Sequence, residues 1–255
     1  AMTPPPTSSP KTRIALPAEE AEVVAVRRAL VAKLTYAVGK DPIVASNHDW
    51  FVATALTVRD RIVDLTYPPG VLVNELQLSR DVGLGRMPVR EAVARLAREG
   101  FLSVVPRRGM VVASMSLSDV VSMLEARGVL ETGLVREVCT KASDNDIAEL
   151  AQLFGDVDAA GESGDYLKFL EVDYRAHARL AELVRNPYLY PVAETMLLHN
   201  LRFWRYCHRN RVVVDGHVQP HVCLVDAVRR RDPDAAEAAV AQLVTRARGG
   251  LQDLF

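Results

Sequence analysis

Apolar positions along this chain recur mostly three and four residues apart, the spacing that lines one face of a helix, and change to a strand-like pattern near residues 101–113. Glu75 to Val82 reads as a short helix, and Gly83 suits the turn after it. A second helix is predicted from Pro88, because the missing N–H of proline costs nothing in a first turn. Val89, Val93 and Leu96 form its apolar face, while Arg86, Arg90, Arg95 and Arg98 fall mostly off that face. Gly100 is a C-terminal stop. Phe101 to Val105 and Met110 to Ala113 then read as two strands joined by a tight cationic tip, Arg107-Arg108-Gly109. Helix, turn, helix and basic hairpin is the order of a winged helix-turn-helix, expected over residues 55–115 with Ala55 to Asp64 as its opening helix.

After Met115 the pattern is helical throughout. Ser116-Leu117-Ser118-Asp119 is a cap-like start, and amphipathic stretches follow at residues 144–159, 164–184, 188–208, 217–230 and 233–254. Asn186-Pro187 and Asp232-Pro233 mark breaks. The expected fold is mainly α: an N-terminal winged helix-turn-helix with a small β-wing, and a C-terminal antiparallel all-α bundle over residues 116–255. Residues 1–16, rich in Pro, Thr and Ser, are expected to be a disordered leader, with Ala1-Met2 an expression scar, and residues 17–54 a helical extension.

Charge sharpens this picture. The chain of 255 residues carries a formal net charge of −1. Residues 65–113 nevertheless hold Arg80, Arg86, Arg90, Arg95, Arg98, Arg107 and Arg108 against Glu75, Asp81, Glu91 and Glu99. A basic patch there attracts phosphate with strong salt dependence, and Arg86 and Arg90, four apart near the helix start, are placed to reach base edges. The bland alternative for each arginine is a solvated helix face. No apolar run approaches the roughly 20 residues that span a bilayer. The three cysteines, Cys139, Cys207 and Cys223, form no CxxC pair, and with no signal peptide ahead of them a reducing cytoplasm is expected. Cys207 and Cys223 are read as buried small hydrophobes.

Within the helical part, Asp173 and His177 are four apart, so one helical face presents a carboxylate and an imidazole together. Two readings stand: an i,i+4 ion pair, or two ligands of a Zn2+, Ni2+ or Mn2+ site completed by His221 from another helix. A rival function would make such a metal catalytic, in a hydrolytic or lyase-type enzyme, although no general base or nucleophile stands at recognisable spacing. A non-catalytic adaptor is a third.

Family resemblance adds to these readings. Tyr67-Pro68-Pro69-Gly70, Glu75, Gly85-Arg86-Met87-Pro88-Val89-Arg90-Glu91-Ala92, Glu99-Gly100 and Pro106-Arg107-Arg108-Gly109 resemble the winged helix-turn-helix of the GntR superfamily of bacterial regulators. The resemblance implies DNA contacts from Arg86, Met87, Arg90, Arg107, Arg108 and Gly109, and double-stranded operator DNA as partner. The family usually has Ser and Thr where Gly85 and Met87 stand, and often an arginine at Leu76, so some phosphate contacts and a helix cap are missing. Residues 119–250, through Asp173-Tyr174-Arg175-Ala176-His177, Asn186-Pro187-Tyr188-Leu189 and His221, are similar to the FadR-type effector domain called FCD. That likeness implies a homodimer, a small organic-acid effector, and a divalent metal on Asp173, His177 and His221. The last family histidine falls at Leu243, which cannot ligate. The site is then weaker, completed by water, effector or His217, or not metallated. Arg127, in the segment resembling the Glu-x-Arg start of that domain, is either an effector carboxylate partner or paired with Glu125 or Glu131. His199 and His208 flank Phe203, Trp204 and Tyr206, which line the cavity or simply pack the core. Residues 26–64 additionally resemble an N-terminal segment of bacterial glycogen phosphorylase, read as a leader without phosphorylase activity.

Overall fold

The computed structural model describes residues 46–212 and 221–252. In chain order its elements are α1 (Asn47–Val63), β1 (Leu72–Val73), α2 (Glu75–Val82), α3 (Arg86–Arg98), β2 (Leu102–Val105), β3 (Gly109–Val112), α4 (Leu117–Lys141), α5 (Asp144–Ser163), α6 (Tyr166–Leu183), α7 (Leu189–Arg209), α8 (Val222–Arg229) and α9 (Pro233–Gln252). The winged helix-turn-helix followed by an all-helical C-terminal part matches the expected fold class. No helix among the described residues is long and apolar enough to cross a membrane.

The chain divides into two compact units, one of residues up to Thr57 with Glu75–Ala92, the other of Val58–Asn74 with Val93 onward. In the first, α1 opens on a capping box. The Ser46 N–H and hydroxyl donate to Asp49 Oδ2 at 2.8 and 2.7 Å, so the helix starts eight residues before the expected Ala55 and runs through the boundary drawn after residue 54. Leu78, Val82, Val89 and Ala92 are fully buried. Helix α3 begins at Arg86, two residues before Pro88. Every N–H of a first helical turn lacks an intrahelical acceptor, so proline is tolerated at the third position as at the first.

In the second unit, β2 and β3 form the expected hairpin, displaced by a residue from the expected limits. The sequence gives no sign of β1, which joins to make the order β1-β3-β2, all antiparallel, with Leu72 opposite Val111 and Val73 opposite Met110. Two residues are too few for alternation to show. The long helix α4 packs against α6, α7, α8 and α9, and α5 packs on α6 and α8. Ser116 and Ser143 each accept from the N–H three residues on while Asp119 and Asp146 reach back, fixing where α4 and α5 begin.

Helix α7 ties this unit together. His199 Nε2 donates to Glu99 O at 2.8 Å, Arg209 Nη1 to Leu65 O at 2.9 Å, Arg205 Nη1 to Val63 O at 3.5 Å, and Arg202 Nη2 to Ala113 O. These donors recur three or four apart, on one stripe of the helix. Val63, Leu65 and Glu99 lie at or just past the C-terminal ends of α1 and α3, where carbonyls lack intrahelical donors and carry partial negative charge. A bidentate pair adds to the set, Arg59 Nη1 and Nη2 with Glu194 Oε2 and Oε1 at 3.3 and 3.2 Å. Arg59 is buried, so its charge depends on this partner.

Glu194→Ala should therefore cost about 3 kcal/mol of unfolding free energy by leaving a buried guanidinium unpaired, against about 1 kcal/mol for loss of the α5 cap in Ser143→Ala. Urea unfolding checks the order, and equal losses would show that the Arg59 charge is solvated.

Candidate functional site

Arg86, Met87 and Arg90 are exposed on the first turns of α3. Arg90 pairs with Glu75 of α2 in a fork, Nε to Oε1 at 3.2 Å and Nη2 to Oε2 at 3.3 Å. An exposed pair is worth at most about 1 kcal/mol. Arg90 is thus held extended yet can exchange Glu75 for a phosphate or a guanine edge, which the same fork fits.

The wing turns at Val105–Arg108, where the Arg108 N–H donates to Val105 O at 3.0 Å. Pro106 in second place and Arg107 at φ 65° in third follow the type II pattern, which favours glycine where Arg107 stands. A cation there costs backbone strain, about 1–2 kcal/mol for a left-handed residue. Gly109 has φ 107°, and a Cβ on it would meet Val73 O at 2.8 Å, so strand β1 can lie beside β3 only because that residue is glycine. Arg107 and Arg108 are both exposed.

The structure brings Asp173, His177 and His221 together. One ligand atom from each lies within 4.8 Å of the others, with His177 Nε2 at 3.7 Å and His221 Nε2 at 3.5 Å from Asp173 Oδ1. All three are buried. Helix α6 carries Asp173 and His177 one turn apart, and His221 stands immediately before α8. Each imidazole turns its other nitrogen toward a carboxylate. His221 Nδ1 is 3.2 Å from Asp158 Oδ1, which also accepts the His221 N–H at 2.9 Å. His177 Nδ1 is 3.2 Å from Glu131 Oε2, within ion-pair range but off the line of a good hydrogen bond. Phe154 of α5 fixes both rings, edge-on to His177 at 5.2 Å and stacked on His221 at 5.0 Å. The sequence reading missed Asp158, which lies on a different helix with no spacing to mark it.

Arg127 takes the paired reading in this geometry: its Nε donates to Glu131 Oε1 at 2.5 Å, and it also lines the cavity. Burial alone would lift the Glu131 carboxyl, but Arg127 and His177 outweigh it and hold the group at about 2, so it is ionised at neutral pH. Three carboxylates, those of Glu131, Asp158 and Asp173, share this interior with one guanidinium and two imidazoles. That arrangement, with both Nε2 atoms turned to Asp173 and a carboxylate behind each ring, is a donor set a divalent cation fits. The space open to the centre of a water-sized sphere is about 30 Å³, room for roughly two waters. Trp204 of α7 lines it, and Leu243, where the last family histidine would fall, lines it with Val244 and Ala247 of α9. His217 lies outside the described residues, as do residues 1–45.

Other expectations divide. Trp204 faces the cavity, whereas Phe203 and Tyr206 line a different one and His208 stacks on Tyr166. Cys139 and Cys207 are buried, but Cys223 is exposed, because α8 buries Leu224, Ala227 and Val228 instead.

Residues 53–112 match the profile of bacterial regulatory proteins of the gntR family, and residues 122–246 match the FCD domain. The chain belongs to the GntR family of bacterial regulatory proteins. It is similar to the Nta operon transcriptional regulator of Aminobacter aminovorans, 30% identical over 178 residues, 68% of this chain and 82% of that one. The galactonate operon transcriptional repressor of Escherichia coli is 24% identical over 220 residues, 78% of this chain and 95% of that one. In fold it is like E. coli McbR/YncC, with a TM-score of 0.68 and 19% identity over 82% of this chain and 99% of that one. Family membership replaces the enzyme reading of Asp173, His177 and His221. Residues 53–64 of the stretch resembling glycogen phosphorylase belong to the GntR match, and that second resemblance gains no support.

At the wing two substitutions should act in opposite directions. Arg107→Gly should raise stability by about 1 kcal/mol by relieving a left-handed arginine, and Gly109→Ala should lower it by more than about 1 kcal/mol. Thermal unfolding of the two variants tests this; a loss in Arg107→Gly would mean the turn is not strained.

Proposed function

We propose that this GntR/FCD protein is a homodimeric, cytoplasmic transcriptional regulator that reads operator DNA with Arg86, Met87 and Arg90 at the start of α3 and with Arg107, Arg108 and Gly109 at the wing. The observation that carries the reading is the pair of exposed arginines four apart on the first turns of the second helix of a helix-turn-helix, inside the gntR match. Dimerisation follows from the need to hold two such helices about one DNA turn apart. The apolar strip on α4 supports it, where Val129 is 80% exposed in a shallow groove with Ala126, Leu130 and Gly133.

The helical part senses a small carboxylate metabolite. Asp173, His177 and His221 would hold a Zn2+, Ni2+ or Mn2+ ion, which when bound supplies a positive centre for an effector carboxylate. Arg127 stands at the same cavity to orient that carboxylate, its own charge kept in place by Glu131. A relative named for the galactonate operon supports an acid effector, since galactonate is a carboxylate. Such an effector needs more room than about 30 Å³, so its entry moves the walls, and one of them, Trp204, belongs to the helix that caps α1 and α3.

Selection from a random duplex library should recover a sequence with two half-sites. Arg86→Ala/Arg90→Ala should bind it about a hundredfold more weakly by fluorescence anisotropy, two bidentate base contacts being worth about 1–3 kcal/mol each. No enriched sequence, or undiminished binding by the double variant, would overturn the DNA reading. Added ZnCl2 should raise the thermal stability of the parent protein but not of His177→Ala or His221→Ala, and Leu243→His should tighten zinc binding. An equal zinc shift in all of them would place the metal elsewhere.

A further inference from the structure

Arg202 of α7 is 1% exposed, yet among the described residues it has no carboxylate partner. Its Nη2 donates to Ala113 O, while its Nη1 is buried and makes no hydrogen bond. The other buried arginines of this unit are neutralised, Arg59 by Glu194 and Arg127 by Glu131. Burial is what acts on the Arg202 guanidinium, drawing it down to about 10, so it is still charged at neutral pH. Buried charges are kept where something pairs with them, and an idle donor on a charged group forfeits its full desolvation cost.

Arg202 lines a cavity of its own with Pro69, Ser114, Met115, Phe203 and Tyr206. The space open to water-sized sphere centres is about 60 Å³, on the order of four waters. Its walls are a proline ring, a thioether and two aromatic rings, with the Ser114 hydroxyl as a further donor. None of these residues lines the Asp173–His177–His221 cavity.

We infer that this pocket is a second effector site, one that takes a small organic carboxylate with an apolar body. Nη1 is shut off from the free space of the cavity, so the carboxylate, charge-matched by Arg202, meets it after a small turn of the guanidinium; the body packs on Met115, Phe203 and Tyr206. A compact inorganic anion would satisfy the guanidinium but leave those walls unfilled, so the site prefers an aryl or short-chain alkyl acid over phosphate. The Phe203 and Tyr206 rings and the Met115 methyl provide the discrimination, and Arg202 the affinity.

The 255-residue chain, labelled with 13C at its methionine methyls and saturated with zinc, is titrated with sodium benzoate at constant ionic strength. The Met115 methyl should shift saturably, because the benzoate ring lies against it, and sodium phosphate should not reproduce the shift. Arg202→Met should weaken benzoate about tenfold or more, and Ser114→Phe, which fills the pocket and leaves Arg202 in place, should abolish the shift. His177→Ala should leave it unchanged. A Met115 methyl that stays still or moves without saturating in the parent protein overturns the inference. So does a benzoate response lost in His177→Ala and kept in Ser114→Phe, which would put the acid in the other cavity.

Discussion

Charge balance in the interior of the helical part is the constraint on which the rest depends. Two imidazoles, three carboxylates and one guanidinium meet there, carried by α4, α5, α6 and the start of α8. Burying so many ionisable groups is tolerable only when each faces a partner, and the chain Arg127–Glu131–His177–Asp173–His221–Asp158 gives every member one. Helices that share such a chain cannot slide past one another without stranding a charge.

Helix α7 gives that interior its reach. Trp204 closes the cavity, while His199, Arg205 and Arg209 hold carbonyls at the ends of α3 and α1 and Arg202 holds the end of the wing. A rotation or shift of α7 that adjusts the Trp204 wall also disturbs these caps. Packed helices move between discrete arrangements rather than deforming smoothly. His199 is well suited to the joint: it stacks on Phe101 at 4.1 Å, and burial draws its imidazole below the usual range, so it holds Glu99 O as a neutral donor.

Sequence pattern reaches those features that depend on near neighbours in the chain. The helix-turn-helix, the wing with its glycine, the capped start of α4 and the Asp173–His177 pair all follow from spacings of two to four residues. Features set by partners far along the chain do not. Asp158 is 63 residues from His221, Glu194 is 135 from Arg59, and Arg202 is 89 from Ala113, and nothing local marks any of them. Strand β1 was hidden by its length, and the start of α3 by the equivalence of first-turn positions for proline. The family likeness marked the place of Leu243, which lines the same cavity as Asp173, His177 and His221.

The central claim is that α3 reads base edges and not merely phosphate charge. Methylation interference on a selected operator duplex measures this directly, because N7-methylation blocks an arginine fork on guanine in the major groove. Loss of binding at a few guanines, grouped in two clusters about one helical turn apart, is the result the account predicts. Binding indifferent to methylation at every guanine would contradict it, leaving a protein that grips the backbone without reading the sequence.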